Sequence, residues 1–171
     1  MKTKKLTLMS MLLGISLIIF ILESYIPPLA PIPGIKLGLA NIINLIALYA
    51  LGRKESFVIL VLRIVLGSIF SGNFVGFLYS IAGGLLSFVV IAVLSLFLKE
   101  DKMWPVSIFS AIAHNAGQIV TAILILKSPY LIWYFPLLTI SAVITGLFTG
   151  ITAQITLKRL RKTLFKEKND A

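Results

Sequence analysis

From Phe57 to Leu98 the chain is apolar, interrupted only by Arg63 and by Ser71-Gly72-Asn73. Drawn as one helix, that run would be about 63 Å long, twice the thickness of the hydrocarbon core of a bilayer. It must turn back on itself, and Ser-Gly-Asn is turn chemistry. A soluble domain has no room for such a run, and the composition agrees. Of 171 residues, 58% are hydrophobic and 13% charged, whereas a soluble domain carries about a quarter charged residues. The class is an all-α, polytopic membrane protein.

Crossing a bilayer takes roughly 20 apolar residues as a helix. Apolar stretches at 6–26, 37–51, 56–71, 74–98, 105–126 and 131–156 predict six transmembrane helices. The segments 37–51 and 56–71 are short for full spans, which predicts local thinning, snorkelling or a partly re-entrant course. No linker, low-complexity tract or internal repeat divides the chain, so residues 1–171 read as one integral membrane domain with a basic tail over 157–171.

The chain carries 16 Lys and Arg against 6 Asp and Glu, a net charge of +10. Six spans put both termini on one side, and thirteen of the positive charges fall there: at the N-terminus, at Arg53-Lys54, at Lys99 and Lys102, and from Lys158 to Lys168. Lys36 and Lys127 lie on the other side, and Arg63 lies within the bilayer. This asymmetry predicts cytoplasmic termini. The basicity is then orientation, not nucleic-acid binding. A cleaved signal peptide is disfavoured, because its small-residue site around Ala30 sits among prolines. The tail reads either as a stop-transfer cluster or as a contact for anionic lipid or a partner.

Polar groups in hydrocarbon are costly and need a partner or a function. Arg63 lies about 12 Å along its span. With Glu23 read as sitting at the outer margin of span one, no carboxylate is expected inside the bundle. The guanidinium must bind carbonyls and amides, snorkel to the cytoplasmic surface, or meet an anionic ligand. Asn41 and Asn44 share one face of span two, and His114, Gln118 and Thr121 form a stripe on span five, with Asn115 beside it. Tyr79 lies below the turn that holds Asn73. Two readings stand: interhelical hydrogen-bond glue, or a polar cavity opening outward and lined by Asn41, Asn44, Asn73, Tyr79, His114, Asn115 and Gln118 above Arg63.

Small residues recur at helical spacing: Ser10 and Gly14, Gly72 and Gly76, Gly146 and Gly150. They allow close helix approach within the bundle, and on span one they also suit docking of another membrane subunit. The loop 27–34 holds four prolines between Pro27 and Pro33 and is predicted stiff and extended. It reads as a lid over an outward cavity or as a plain connector.

Missing groups narrow the chemistry. There is no phosphate-cradling Gly-x-x-x-x-Gly-Lys loop for ATP. Carboxylates are not clustered to hold Mg²⁺ at a diphosphate, and the absence of cysteine removes thiolate chemistry. His114 without an acidic or cysteine partner does not suggest a metal site. No enzyme, cofactor or metal is expected.

The stretches "PGIKLGLANIINLIALYALG" (33–52), "RIVLGSIFSGNFVGFLYSIAGGLLS" (63–87) and "AIAHNAGQIVTA" (111–122) together resemble the bacterial Gx transporter family, also labelled heptaprenyl diphosphate synthase component I. The resemblance implies a six-helix bundle similar to the substrate-capture S components of energy-coupling factor transporters, in the bacterial cytoplasmic membrane. Such components bind a vitamin-like molecule from outside and rely on a separate membrane coupling subunit and cytoplasmic ATPases. Ser10 and Gly14 would then meet the coupling subunit. The synthase label leaves a second expectation open: a non-catalytic accessory of isoprenoid or quinone metabolism, or of flavin- and quinone-linked electron transfer.

Overall fold

The computed structural model describes residues 2–26 and 35–166. The proline-rich loop read above as a lid or connector, and tail residues 167–171, lie outside the described residues. Among those described there are six α-helices and no strand. They are α1 (Lys2–Ser24), α2 (Asn41–Leu51), α3 (Arg53–Ser71), α4 (Phe74–Leu94), α5 (Met103–Leu126) and α6 (Phe135–Lys166), with short 3-10 turns at Glu100–Lys102 and Pro129–Tyr134.

Four helices, α1, α4, α5 and α6, are long and apolar enough to cross a membrane. The protein is therefore a multi-pass membrane protein. Of the six stretches read as spans, these four helices meet the length and apolarity of a crossing. The exceptions are the two segments that are short in sequence. With 11 residues, α2 rises about 16 Å, half of what a bilayer needs. The helix α3 has 19 residues but starts with Arg53, Lys54 and Glu55 and buries Arg63 at its centre.

Local chemistry explains the reversals. Gly72 ends α3 in the left-handed conformation, and the Asn73 side chain caps α4 by accepting from Gly76 N–H at 2.8 Å. Between α2 and α3, Gly52 N–H donates to the carbonyls of Ala47 and Leu48, and Ser56 Oγ donates back to the carbonyl of Asn44 at 2.8 Å.

The helices alternate in direction, and ion pairs mark one end. Lys5 pairs with Glu55, and Arg161 meets Glu100 at 3.1 Å and donates to the Tyr49 carbonyl at 3.3 Å. The start of α1, the α2–α3 junction, the α4–α5 connection and the far part of α6 thus share a basic end. At the opposite end, Lys36 Nζ donates to Ser24 Oγ at 2.8 Å.

The small-residue stripes divide by use. A Cβ on Gly146 would lie 2.7 Å from Ile108 Cα, and one on Gly150 2.6 Å from Trp104 Cα, so α6 lies backbone to backbone on α5. On the other face of α5, a Cβ on Gly117 would lie 2.6 Å from the Ala82 carbonyl oxygen of α4. Buried hydroxyl pairs join the same helices: Ser87 with Ser110 at 2.7 Å and Ser107 with Thr149 at 2.9 Å. On α1 the stripe faces outward: Ser10 and Gly14 are exposed, and a Cβ on Gly14 would meet nothing within 4 Å.

The core toward the basic end packs Leu45, Ile46, Ile59, Ile91, Met103 and Leu157 around α2. A smaller cluster of Ile35, Tyr79, Ile119, Ala122 and Leu138 closes the other end. Large apolar side chains such as Ile69, Phe148 and Ile144 stay exposed on the outside, the surface a bilayer covers.

Candidate functional site

Between the end of α1 and the start of α2 the described backbone, residues 35–40, is irregular. Ile35 and Ala40 are buried, so its amides need partners within the protein. The capping position of α2, Ala40, has no side chain to offer. The acceptor comes from α1: Glu23 Oε1 receives the N–H of Gly38 and, at 3.2 Å, that of Leu39. Two successive N–H groups on one acceptor oxygen form a nest. A second acceptor comes from α5, where Gln118 Oε1 receives the Lys36 N–H at 3.3 Å.

Gly38 lets this turn form. Its φ is +80°, and a Cβ there would stand 2.9 Å from His114 Cδ2 and 3.0 Å from Asn41 Nδ2. Both backbone conformation and space require glycine.

Glu23 overturns one expectation. It is 4% exposed, so a carboxylate does lie inside the bundle. Arg63, 3% exposed, lies within its Coulombic reach, as does Lys36. Arg63 Nη2 donates to Asn41 Oδ1 at 3.4 Å, a long bond, while its Nε has no protein partner. The Lys36 ammonium sits 3.3 Å from the centroid of the Phe20 ring. Burial holds its pKa down to about 8, with Glu23 opposing the shift and Arg63 adding to it.

His114 joins through Gln118. Because Gln118 Oε1 accepts from Lys36, its amide nitrogen faces His114 Nε2, at 2.9 Å. The amide must donate, so Nε2 accepts and a neutral ring carries its proton on Nδ1. That nitrogen faces Gly83, where a Cβ would lie 2.8 Å away.

Five residues from three helices and the intervening segment thus converge around Arg63 of α3: Glu23, Lys36, Asn41, His114 and Gln118. Of the candidates read from sequence, Arg63, Asn41, His114 and Gln118 come together. Asn44 is fully buried one turn along α2, with neither side-chain oxygen nor nitrogen bonded. Asn115 donates to the Leu138 carbonyl of α6 at 2.8 Å and ties the helices there. Tyr79 is buried in the smaller apolar cluster, and Asn73 is exposed as the cap of α4. Thr121 bonds its own helix at the Gly117 carbonyl. Sequence reasoning missed Glu23, Lys36, Gly38 and Gly83 as members. The available signal was α2 beginning on Gly-Leu-Ala-Asn without a local acceptor for its leading amides.

Beside Gly38 and Asn41 lies a polar cavity of about 10 Å³, also lined by Ser107, Ser110 and Thr149. That is room for about one water molecule. A separate apolar groove of about 410 Å³ opens between α4 and α5, lined by residues that include Val89, Val93, Phe109 and Ile112.

The arrangement sets Arg63 and Lys36 against one carboxyl group, with buried donors left over on Arg63 Nε, Asn41 Nδ2 and His114 Nδ1. Chemically it can hold an acceptor-rich, negatively charged group. The sequence profile of the family described as Heptaprenyl diphosphate synthase component I matches residues 12–156. No curated protein and no solved structure matches the chain.

Proposed function

The chain belongs to the Heptaprenyl diphosphate synthase component I family, and with the Arg63 cluster as the second premise we propose that it is a non-catalytic, small-molecule-binding membrane subunit. In this reading it resembles the S component of an energy-coupling factor transporter, taking a small anionic or amphipathic ligand from the outer face. A separate membrane subunit, docked on the exposed Ser10–Gly14 face, and cytoplasmic ATPases would drive release. The chain would pass the bacterial cytoplasmic membrane six times, α2 pairing with the buried segment 35–40 to complete one passage, and both termini would be cytoplasmic.

The carrying observation is the surplus of unpaired buried donors around Arg63, where α2 begins only after a stretch of non-helical backbone. A guanidinium nitrogen left without a partner in the interior is expensive, and a ligand acceptor offsets that cost. Interrupted helices whose free backbone groups face a buried site are a recurrent ligand seat in transporters. The adjoining cavity is water-sized, so ligand access requires 35–40 to move away from α5.

Purification of the tagged protein from its native membrane tests this reading. Recovery with a coupling subunit and ATPases supports it. Recovery as a lone monomer with no small molecule overturns it.

The apolar groove between α4 and α5 favours a second reading: an accessory of isoprenoid or quinone metabolism, or of flavin- and quinone-linked electron transfer, holding a lipid tail. It predicts a co-purified quinone or polyprenyl lipid and prenyl or redox enzymes as partners.

A further inference from the structure

We propose that the groove between α4 and α5 seats one acyl chain of an anionic phospholipid, drawn from the leaflet at the basic end of the bundle. The inference does not depend on what binds at Arg63. It gives the groove an occupant other than the quinone or polyprenyl tail of the second reading.

Three observations converge. The first is depth. Val89, Val93 and Leu94 of α4 lie across the groove from Phe109, Ile112 and Ala113 of α5, and its lining is apolar throughout. Both helices are long and apolar enough to cross a membrane, and Val89, Val93 and Phe109 are exposed on the outside. The groove begins at Leu94, where α4 ends, and from Met103 to Ala113 α5 rises about 15 Å. That is half of a hydrocarbon core about 30 Å thick. The groove therefore lies along a single leaflet, the one at the basic end, and its neighbours there are lipid chains.

The second is size and polarity. A volume of about 410 Å³ is too little for a partner helix, which over roughly 15 Å of length and 10 Å of width fills roughly 1,200 Å³. At roughly 30 Å³ for each water-sized group, the space takes on the order of a dozen methylenes in a row. No lining side chain offers a hydrogen bond, so a quinone ring seated here would leave its carbonyls unpaired. A plain hydrocarbon chain whose polar head stays at the membrane surface carries no such cost.

The third is charge at that surface. The connection 95–102 leaves the groove at Leu94 and carries Lys99, Glu100, Asp101 and Lys102. Its two acids are engaged by other helices: Glu100 pairs with Arg161 of α6, and Asp101 lies within Coulombic reach of Tyr49 of α2. Lys99 and Lys102 are exposed and have no carboxylate partner among the described residues. Phe97 and Trp104, also exposed, suit the membrane interface, where lysines meet lipid phosphates. An anionic headgroup above the seated chain finds two unpaired cations.

The test uses the full-length protein, stripped of lipid in detergent. It is offered phosphatidylglycerol and phosphatidylcholine with the same chains in equal amounts, and native mass spectrometry reads the lipid retained. The wild type is expected to keep one phosphatidylglycerol, favoured about fivefold or more over phosphatidylcholine. Ala113→Phe fills the groove with a ring and is expected to lose that lipid. Val93→Phe fills it from α4 and covers the case in which Ala113→Phe fails to fold. Lys99→Gln combined with Lys102→Gln leaves the groove open and is expected to bring the two lipids level.

Equal retention of the two lipids by the wild type overturns the assignment. So does a folded Ala113→Phe or Val93→Phe that keeps phosphatidylglycerol as the wild type does, or a double lysine variant that keeps the preference. A quinone or polyprenyl lipid that co-purifies from the native membrane with the wild type, and not with Ala113→Phe, overturns it in favour of the second reading.

Discussion

Gly38→Ala probes the turn on which the whole cluster is assembled. At φ +80° an alanine carries a left-handed penalty of about 1–2 kcal/mol. Its Cβ would also press on His114 Cδ2 at 2.9 Å and on Asn41 Nδ2 at 3.0 Å. Both belong to side chains fixed by the cluster, so relief requires His114 or Asn41 to leave its place, an overpacking cost of roughly 1–3 kcal/mol. The expected loss is about 2–5 kcal/mol in all. Two other glycines separate the contributions. Gly72 has φ +60° and open space around a Cβ, so Gly72→Ala carries the backbone penalty alone, about 1–2 kcal/mol. Gly14 lies within α1 with open space and no positive φ, so Gly14→Ala is neutral or stabilising by up to about 1 kcal/mol. Unfolding of the purified protein in mixed micelles by SDS titration gives all three on one scale. The order Gly38→Ala below Gly72→Ala below Gly14→Ala is expected. A Gly38→Ala variant as stable as Gly72→Ala would refute the packing of this turn against His114 and Asn41.

Other substitutions follow from the same geometry. Lys36 titrates near 8 in the folded protein and near 10.5 when unfolded, so between these values the unfolded chain binds more protons. Stability should rise as pH rises through that window, and Lys36→Met should remove that part of the pH dependence. Gly150→Leu should prevent stable folding, because even a Cβ there would stand 2.6 Å from the Trp104 backbone, whereas Gly14→Leu should melt as the wild type does. A double-mutant cycle on Ser87 and Ser110, 2.7 Å apart and buried, should give a coupling of about 0.5–1.5 kcal/mol in unfolding titrations. Asn73→Ala should lower stability by about 1 kcal/mol through the lost cap of α4, read in the same unfolding titrations.

Local chemistry was readable from the sequence, and tertiary partners were not. The turn at Ser71-Gly72-Asn73 needs only neighbouring residues, and it forms where its composition says. The short stretches at 37–51 and 56–71 hold α2 and α3, the two helices outside the four that are long and apolar enough to cross. The late start of α2 at Asn41 depends instead on a carboxylate from α1 holding Gly38 and Leu39. Taken as the outer margin of an apolar span, Glu23 looked like an interface residue, and its burial follows from where segment 35–40 returns. Arg63, Asn41, His114 and Gln118 were legible because hydrocarbon makes any polar side chain conspicuous. Asn115 and Tyr79 were equally conspicuous, yet one ties α5 to α6 and the other packs among Ile35 and Leu138. Depth along a helix says how far in a residue lies, not which neighbour it faces.

The central claim is that the unpaired donors around Arg63 await a ligand. Native mass spectrometry of the gently solubilised protein, alongside a folded Arg63→Gln variant, tests it most directly. The account predicts a small anionic or amphipathic molecule bound one to one in the wild type and absent from the variant. The same small molecule retained in both, or none in either, would contradict it.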